Sequence, residues 1–360
     1  MLSRFRGSML GSLMGDCLGS PFEGEASIGK VFLNNYFSQL GDPKKRLPFK
    51  PYTDDTAMTK SVALSLTELK GFNGQDMAKR FTKEYFAEPK RGYGSAVHDV
   101  FMGLRNSNCE DPYRPAQRQF QGMGSYGNGA AMRVAPVALM NYNDEARAID
   151  VATMQSKITH SHKLGCQGAV LQCLAVRAAL HVQPNGLNIV KFTDDLISTM
   201  RNIEKKDADV VVEVEGGDSD APWNTTSYAR RLETVKKFLE QPEPPPNEEI
   251  HGLLGVHVSA LRSVPTAIYC FLVSQNPIPG IECDNKLQRC IQFAISLGGD
   301  TDTIAAMAGA ISGAYLGEDQ VPKELLRHCE AVKDVLSWAD KLHDASSTVQ
   351  FSNEATSNSV

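Results

Sequence analysis

Apolar residues recur with a helical period along almost the whole chain, and that pattern decides the fold class. Amphipathic or wholly apolar helical stretches run over roughly 2–18, 55–70, 75–86, 129–141, 145–158, 163–182, 187–203, 225–240, 248–260, 264–274, 285–296, 302–316 and 322–343. Strict alternation is nearly absent. Val210 to Val214 is the one tempting segment, and its acidic and glycine-rich flanks make it a loop. About thirteen or more helices without a sheet predict an all-α protein, a single compact orthogonal helical bundle.

Gly41 to Pro51, Glu204 to Pro222 and Gln241 to Asn247 read as mobile connections, being rich in proline, charge or both. None divides the chain, so one domain is expected over 1–344. The Ser/Thr/Asn-rich residues 345–360 read as a disordered tail.

Composition narrows the function classes. The chain of 360 residues is 42% hydrophobic and 22% charged, with a net charge of −5. No clustered positive field argues for a nucleic-acid or anionic-membrane partner. No apolar run is long enough for a transmembrane helix; Ile304 to Leu316 is Ala/Gly-rich and reads as a buried helix. The eight cysteines are scattered without zinc-ligand spacing, as expected of reduced, buried thiols. There is no secretory apolar core near the start. Arg4 and Arg6 precede the first acidic residue, Asp16, but seven residues are too few to assign an organelle-targeting helix.

Glycine recurs every fourth residue at Gly7, Gly11, Gly15 and Gly19, and again at Gly309, Gly313 and Gly317. Each glycine weakens a helix by about 1 kcal/mol relative to alanine, so the stripe implies close approach of another backbone. Either the two stripes face each other, bringing Asp16 and Glu23 towards Asp300 and Asp302, or each packs on a different neighbour.

Two acidic clusters stand at predicted helix N-termini: Tyr52-Thr53-Asp54-Asp55-Thr56 and Gly298-Gly299-Asp300-Thr301-Asp302-Thr303. Capping explains one such cluster well, because Asp and Thr accept the orphan N–H groups there. Two clusters leading into buried helices are harder to explain so, since gathered carboxylates repel unless protons or cations intervene. Hard oxygen donors without His or Cys suit Mg²⁺, Mn²⁺ or Ca²⁺, and a two-metal site is the sharper reading. Glu23, in the Gly/Pro-framed segment Gly19 to Gly24, is either a solvated loop glutamate or an acid, base or gating ligand of that site.

Gly122 to Gly129 opens another helix with four glycines and suits an anion cradle. A Rossmann reading of its GxGxxG pattern fails, because no strand precedes it. Arg91-Gly92-Tyr93-Gly94 is a weaker loop of the same kind. His160 and His162 stand too close for two ligands on one helix face; one of them either bonds a ligand or caps a helix.

With these residues in view, the chain resembles the ADP-ribosylhydrolases related to the dinitrogenase-reductase-activating glycohydrolase. The likeness runs from Ser3 to about Asp344. It is most specific in Tyr52 to Thr56, GSYGNGAAMR (Gly124 to Arg133), SVPTAIYCF (Ser263 to Phe271) and SLGGDTDTIA (Ser296 to Ala305). The second and third motifs are similar to the branch acting on ADP-ribosylserine and poly(ADP-ribose). The resemblance implies an all-α fold with two Mg²⁺ ions, Mn²⁺ being a possible substitute, in a central cleft. Thr53, Asp54, Asp55 and Asp302 would hold one ion. Asp300, Asp302 and Thr303 would hold the other, with Glu23 reaching it in some states. It further implies that Gly124, Ser125, Tyr126, Gly127, Asn128 and His160 hold the pyrophosphate and neighbouring ribose. Phe120 and Tyr126 would lie near the adenosine and Val258 against the adenine.

The implied reaction is hydrolysis of the O-glycosidic bond between ADP-ribose and serine on proteins such as histones, of ribose–ribose bonds in poly(ADP-ribose), and of O-acetyl-ADP-ribose. Glu23 or Asp300 would be the acid/base and free ADP-ribose the product. The resemblance also implies reversal of ADP-ribosylation after DNA damage by a monomer of nucleus and cytoplasm, with the mitochondrial matrix as a further compartment. Three alternatives are weaker. A haloacid-dehalogenase-type phosphohydrolase needs its DxDxT motif after a strand. A catalytically silent ADP-ribose-binding relative is expected to lose an acidic ligand. An arginine-specific hydrolase is not expected to carry GSYGNGAAMR.

Overall fold

The computed structural model describes residues 1–45, 47–208 and 227–357, with side chains for 1–45, 47–206 and 227–347. The described residues form helices without a strand. They begin with α1 Leu2–Gly19, α2 Lys30–Gly41, α3 Asp54–Glu68, α4 Gly74–Ala87, α5 Val97–Asn106 and α6 Arg114–Gln117. The middle of the chain forms α7 Gly129–Met132, α8 Ala135–Met140, α9 Glu145–Lys157, α10 Lys163–His181, α11 Ile189–Ala208 and α12 Tyr228–Leu239. The rest forms α13 Asn247–Leu253, α14 Ala260–Val273, α15 Lys286–Leu297, α16 Thr301–Leu316, α17 Lys323–Leu326 and α18 Val332–Ser357. The all-helical expectation holds. The boundary expected after Asp344 falls inside α18. Val210 to Val214 and most of Glu204 to Pro222 lie outside the described residues.

The centre of the molecule is the antiparallel pair α1 and α16, its most extensive helix contact. Every residue of α1 from Gly7 to Gly19 is buried, as is every residue of α16 from Thr301 to Tyr315. The two glycine stripes face each other, which decides between the alternatives left by the sequence. A Cβ on Gly7 would strike the backbone of Gly313 and Gly317, and one on Gly15 that of Ala305 and Ala306. Gly11 and Gly309 exclude each other's Cβ reciprocally, each aimed at the other's carbonyl oxygen. At the end of the pair, a Cβ on Gly19 would lie 2.7 Å from Asp302 Cα. Across the crossing Ser8 Oγ donates to Ala310 O at 2.9 Å, and Gln172 on α10 braces α16 by donating to Met307 O at 2.9 Å.

Departures from the expected helices have local causes. The stretch 129–141 is broken at Arg133–Val134, with Pro136 opening the second piece, α8. The stretch 248–260 stops at Leu253 because Gly255 turns at φ +97°, and the following loop buries Val256 and carries Val258 to the cleft. Helix α14 starts earlier than expected, with Pro265 inside its second turn. The stretch 322–343 is two helices, divided near Ala331 at φ +58°. Helices α2, α5 and α6 fall where no helical stretch was expected. In α2 only Leu33, Phe37 and Leu40 are buried, while Val31 and Phe32 are 75% and 58% exposed, so its apolar stripe is blurred. All eight cysteines are free, and Cys283 alone among them is not fully buried. Among the described residues no helix is long and apolar enough to cross a membrane.

Candidate active site

The α1–α16 pair delivers one acidic motif to the other. Asp16, fully buried near the end of α1, accepts Thr53 N–H at 2.9 Å, Thr56 N–H at 3.1 Å and the Thr56 hydroxyl at 2.5 Å. Asp16 therefore caps α3 from another helix, and the Thr53 hydroxyl accepts Asp55 N–H at 3.3 Å. Those bonds satisfy the helix start without the side chains of Asp54 and Asp55. Asp300 occupies the N-cap position of α16 but makes no side-chain cap; its Oδ2 instead accepts Asn128 Nδ2–H at 2.6 Å. Of the four aspartates in the two motifs, Asp302 alone bonds a helix-start amide among the described residues, that of Thr303 at 2.8 Å. Capping thus leaves Asp54, Asp55 and Asp300 unexplained.

These carboxylates are also without counter-charges. None of Asp16, Glu23, Asp54, Asp55, Asp300 and Asp302 belongs to an ion pair among the described residues. Oxygens of Glu23, Asp300 and Asp302 lie within 4.8 Å of one another. Asp55 Oδ2 accepts the hydroxyls of Thr53 and Thr303, each at 3.2 Å, whereas its Oδ1 is buried with no partner. Burial pushes Asp16 up to about 6, against the hydrogen bonds it accepts. Burial, then the charges of Asp16 and Asp300, pushes Asp54 up to about 8. Burial first and neighbouring carboxylates second hold Asp55 and Asp302 well above the aspartate range and raise Glu23. An orphaned buried carboxylate oxygen in a repelling, all-oxygen cluster with two threonine hydroxyls fits a hard divalent cation.

This arrangement gives stability a definite pH dependence. Asp54 is raised from 3.8 to about 8 and Asp16 from 3.8 to about 6, so the metal-free folded protein holds protons that the unfolded chain has released. Their stabilising protonation is complete below about pH 4 and is lost as the pH climbs to about 8. Urea midpoints in EDTA should therefore fall across that window relative to midpoints with a divalent cation. A gap between the two series that stays constant with pH would contradict the cluster's electrostatics.

A cavity of about 310 Å³ opens over the cluster. Glu23, Asp54, Asp300, Asp302 and Thr303 form its acidic side, with Thr53 and Asp55 immediately behind. Ser125, Gly127, Asn128 and His160 form another wall, and Val258, 63% exposed, stands at the rim. Asn128 N–H donates to Val258 O at 2.8 Å and Ala260 N–H to Tyr126 O at 3.0 Å, which pins the glycine loop to the start of α14. The glycines make room for the histidine: a Cβ on Gly129 would lie 2.8 Å from His160 Cε1, and one on Gly127 3.3 Å from Nε2. His162, by contrast, caps α10 by accepting Leu164 N–H at 3.1 Å.

Three expected ligand contacts are outside the cavity lining. Phe120 and Tyr126 are 46% and 53% exposed, and Gly124, at φ +74°, packs against Ser161 and His162. Several lining residues escaped the sequence reading, including Gln119, Phe101, Met58 and Met132. Arg133 and Thr159 also escaped it; the first closes GSYGNGAAMR and the second adjoins His160, so position alone was a usable signal. The loop Arg91 to Gly94 supplies Gly92, Tyr93 and Gly94 to the cavity. Arg91 O accepts Asp54 N–H at 2.7 Å, and its guanidinium pairs with Glu330 at 2.6 Å while lying 3.9 Å over the Tyr52 ring.

The chain matches known proteins over most of its length. Residues 1–350 match the model of the ADP-ribosylglycohydrolase family. The chain is 44% identical to ADP-ribosylhydrolase ARH3 of Gallus gallus, over 95% of this chain and 93% of that one. It is 41% identical to ADP-ribosylhydrolase ARH3 of Homo sapiens, again over 95% and 93%. A solved structure described as an ADP-ribosylglycohydrolase-related protein complex superposes with a TM-score of 0.65 at 23% identity, covering 96% of this chain and 98% of that one, and shows the same fold. By its matched residues and its relatives, the chain belongs to the ADP-ribosylglycohydrolase family.

Proposed function

We propose that this protein is an ADP-ribosylhydrolase that cleaves the O-glycosidic bond joining ADP-ribose to serine on proteins, with Mg²⁺ as its physiological metal. The observation that carries the reading is the release of Asp54, Asp55 and Asp300 from capping: their carboxylates gather, unpaired, at one cavity with Glu23 and Asp302. Relatives named ADP-ribosylhydrolase at 41–44% identity support the substrate class. Thr53, Asp54, Asp55 and Asp302 would hold one ion, and Asp300, Asp302, Thr303 and Glu23 a second. When bound, such ions supply positive charge that offsets the carboxylates and orients the hydroxyls of a ribose.

The protein's own groups do the rest. Cleavage at the anomeric carbon passes through an oxocarbenium-like transition state, which a carboxylate-lined cavity stabilises. Glu23 is the best-placed acid/base: it is exposed at the cavity on a turn after the 3-10 segment Ser20–Phe22, where partial burial and then the charges of Asp300 and Asp16 raise its pKa. Asp300, held by Asn128, is the other candidate. Ser125, Gly127 and His160 would bind the pyrophosphate and ribose, with Phe120, Tyr126 and Val258 turned to the adenosine. Ribose–ribose bonds of poly(ADP-ribose) and O-acetyl-ADP-ribose present the same anomeric carbon. Histones modified after DNA damage, a monomeric state, and nuclear, cytoplasmic or mitochondrial placement complete the proposal.

The test is ADP-ribose release from peptides modified on serine or on arginine, each with Mg²⁺ and with EDTA. Release from the serine peptide alone, abolished by EDTA, is expected. Release from arginine alone would move the protein to another specificity, and release from neither would remove the enzymatic reading.

A further inference from the structure

Arg133 is buried, with 2% of its surface exposed, yet it pairs with no carboxylate among the described residues. Its guanidinium lies 4.2 Å over the Phe81 ring. Nε donates to Gln155 Oε1 at 2.9 Å, and Nη2 donates to Gln155 O at 3.0 Å and to Thr159 Oγ1 at 2.8 Å. Thr159 Oγ1 in turn lies 2.7 Å from His160 Nδ1. A buried guanidinium can only donate, so Thr159 must accept from it. The Thr159 hydroxyl proton then has one acceptor within reach, His160 Nδ1. If Nδ1 carried a proton instead, the hydroxyl proton would be buried without a partner, an arrangement native proteins avoid. The other ring edge, with Nε2, faces the cavity between Gly127 and Gly129.

We propose that Arg133 and Thr159 are positioning residues that lock His160 as the neutral Nε2–H tautomer, so that it presents a hydrogen-bond donor, never an acceptor, to the ligand. The pKa of His160 agrees: burial first, and then the Arg133 charge, pushes it down to about 3. Other charged or titratable groups near it include Cys166, whose thiol donates to His160 O at 3.2 Å, and, around the cavity, Tyr93, Asp54, Asp300, Asp302 and Glu23. A fixed donor suits a phosphate or ribose oxygen. It also bars His160 from taking a proton from water or a sugar hydroxyl, which leaves that task to the carboxylates. The ligand half of this inference rests on the proposed function; the tautomer half does not.

The test is long-range ¹⁵N–¹H correlation on protein labelled at histidine, without ligand, joined to ADP-ribose titration. Wild-type protein at neutral pH should show His160 protonated at Nε2 and bare at Nδ1. Thr159→Val keeps the shape but removes the donor, and should give mixed tautomers and about tenfold weaker ADP-ribose binding. Thr159→Ser should restore both readouts, which a packing defect would not. An Nδ1–H or doubly protonated ring in the wild type would overturn the proposal, as would Thr159→Val with the wild-type tautomer and affinity. The spectrum decides the relay even if wild-type protein fails to bind ADP-ribose, a failure that would instead count against the proposed function.

Discussion

Replacing Gly309 with valine is expected to leave no folded protein in a soluble extract. A Cβ at this position points into the Gly11 carbonyl oxygen, and the reciprocal contact at Gly11 closes the space from the other side. Ordinary overpacking is relieved by neighbouring side chains turning away and costs about 1–3 kcal/mol. Here the obstacle is backbone in a buried helix, so α1 and α16 must separate along their length. Separation would open the buried faces from Gly7 to Gly19 and from Thr301 to Tyr315, a loss comparable to the whole stability of a domain, about 5–15 kcal/mol. Gly252→Ala is the control. It lies in α13 with nothing within 4 Å of its Cβ position, and should leave the melting temperature unchanged or slightly raised. Equal expression and melting of Gly309→Val and wild type would show that the two stripes do not meet.

Asp302→Asn should separate activity from stability in opposite directions. Asp302 is buried within reach of Glu23 and Asp300, and its charge is disfavoured by burial and then by Asp300. The amide keeps an oxygen for the Thr303 N–H bond but removes one charge from the cluster. Metal-free protein should therefore melt higher than the wild type, because repulsion falls and no counter-charge is lost. Turnover should drop by about a thousandfold, as for removal of a principal electrostatic group. The readings are melting temperature in EDTA and the rate of ADP-ribose release with Mg²⁺. A variant that melts lower and keeps its turnover would make Asp302 a structural residue of α16 and nothing more.

Much of this is legible in the sequence because the informative residues are ones with few alternative uses. Glycine every fourth residue in a helix is explicable only by close backbone contact, and the spacing at Gly7 to Gly19 matches the spacing at Gly309 to Gly317. What the spacing left open was the partner, and the reciprocal contact of Gly11 with Gly309 supplies it. The acidic motifs were ambiguous for a different reason: Asp and Thr at a helix start look the same whether they cap or bind. The ambiguity ends with Asp16, thirty-seven residues before Thr53, which takes over the cap. No local pattern announces such a substitute. Helix α2 is hidden because its outward face carries Val31 and Phe32, and the first turn of α14 because Pro265 suggests a start where the helix is already under way. The Arg133–Thr159–His160 chain joins residues twenty-seven apart through side-chain bonds, which hydrophobic periodicity does not record.

The direct measurement is a calorimetric titration of Mg²⁺, and in parallel Mn²⁺, into protein stripped with EDTA, with the melting temperature followed in the same samples. Two ions per chain, with a rise in melting temperature that Asp302→Asn diminishes, is the result expected if the α1–α16 crossing exists to bring two carboxylate sets around metal. A folded protein that takes up neither ion, and whose melting temperature does not respond, would contradict it.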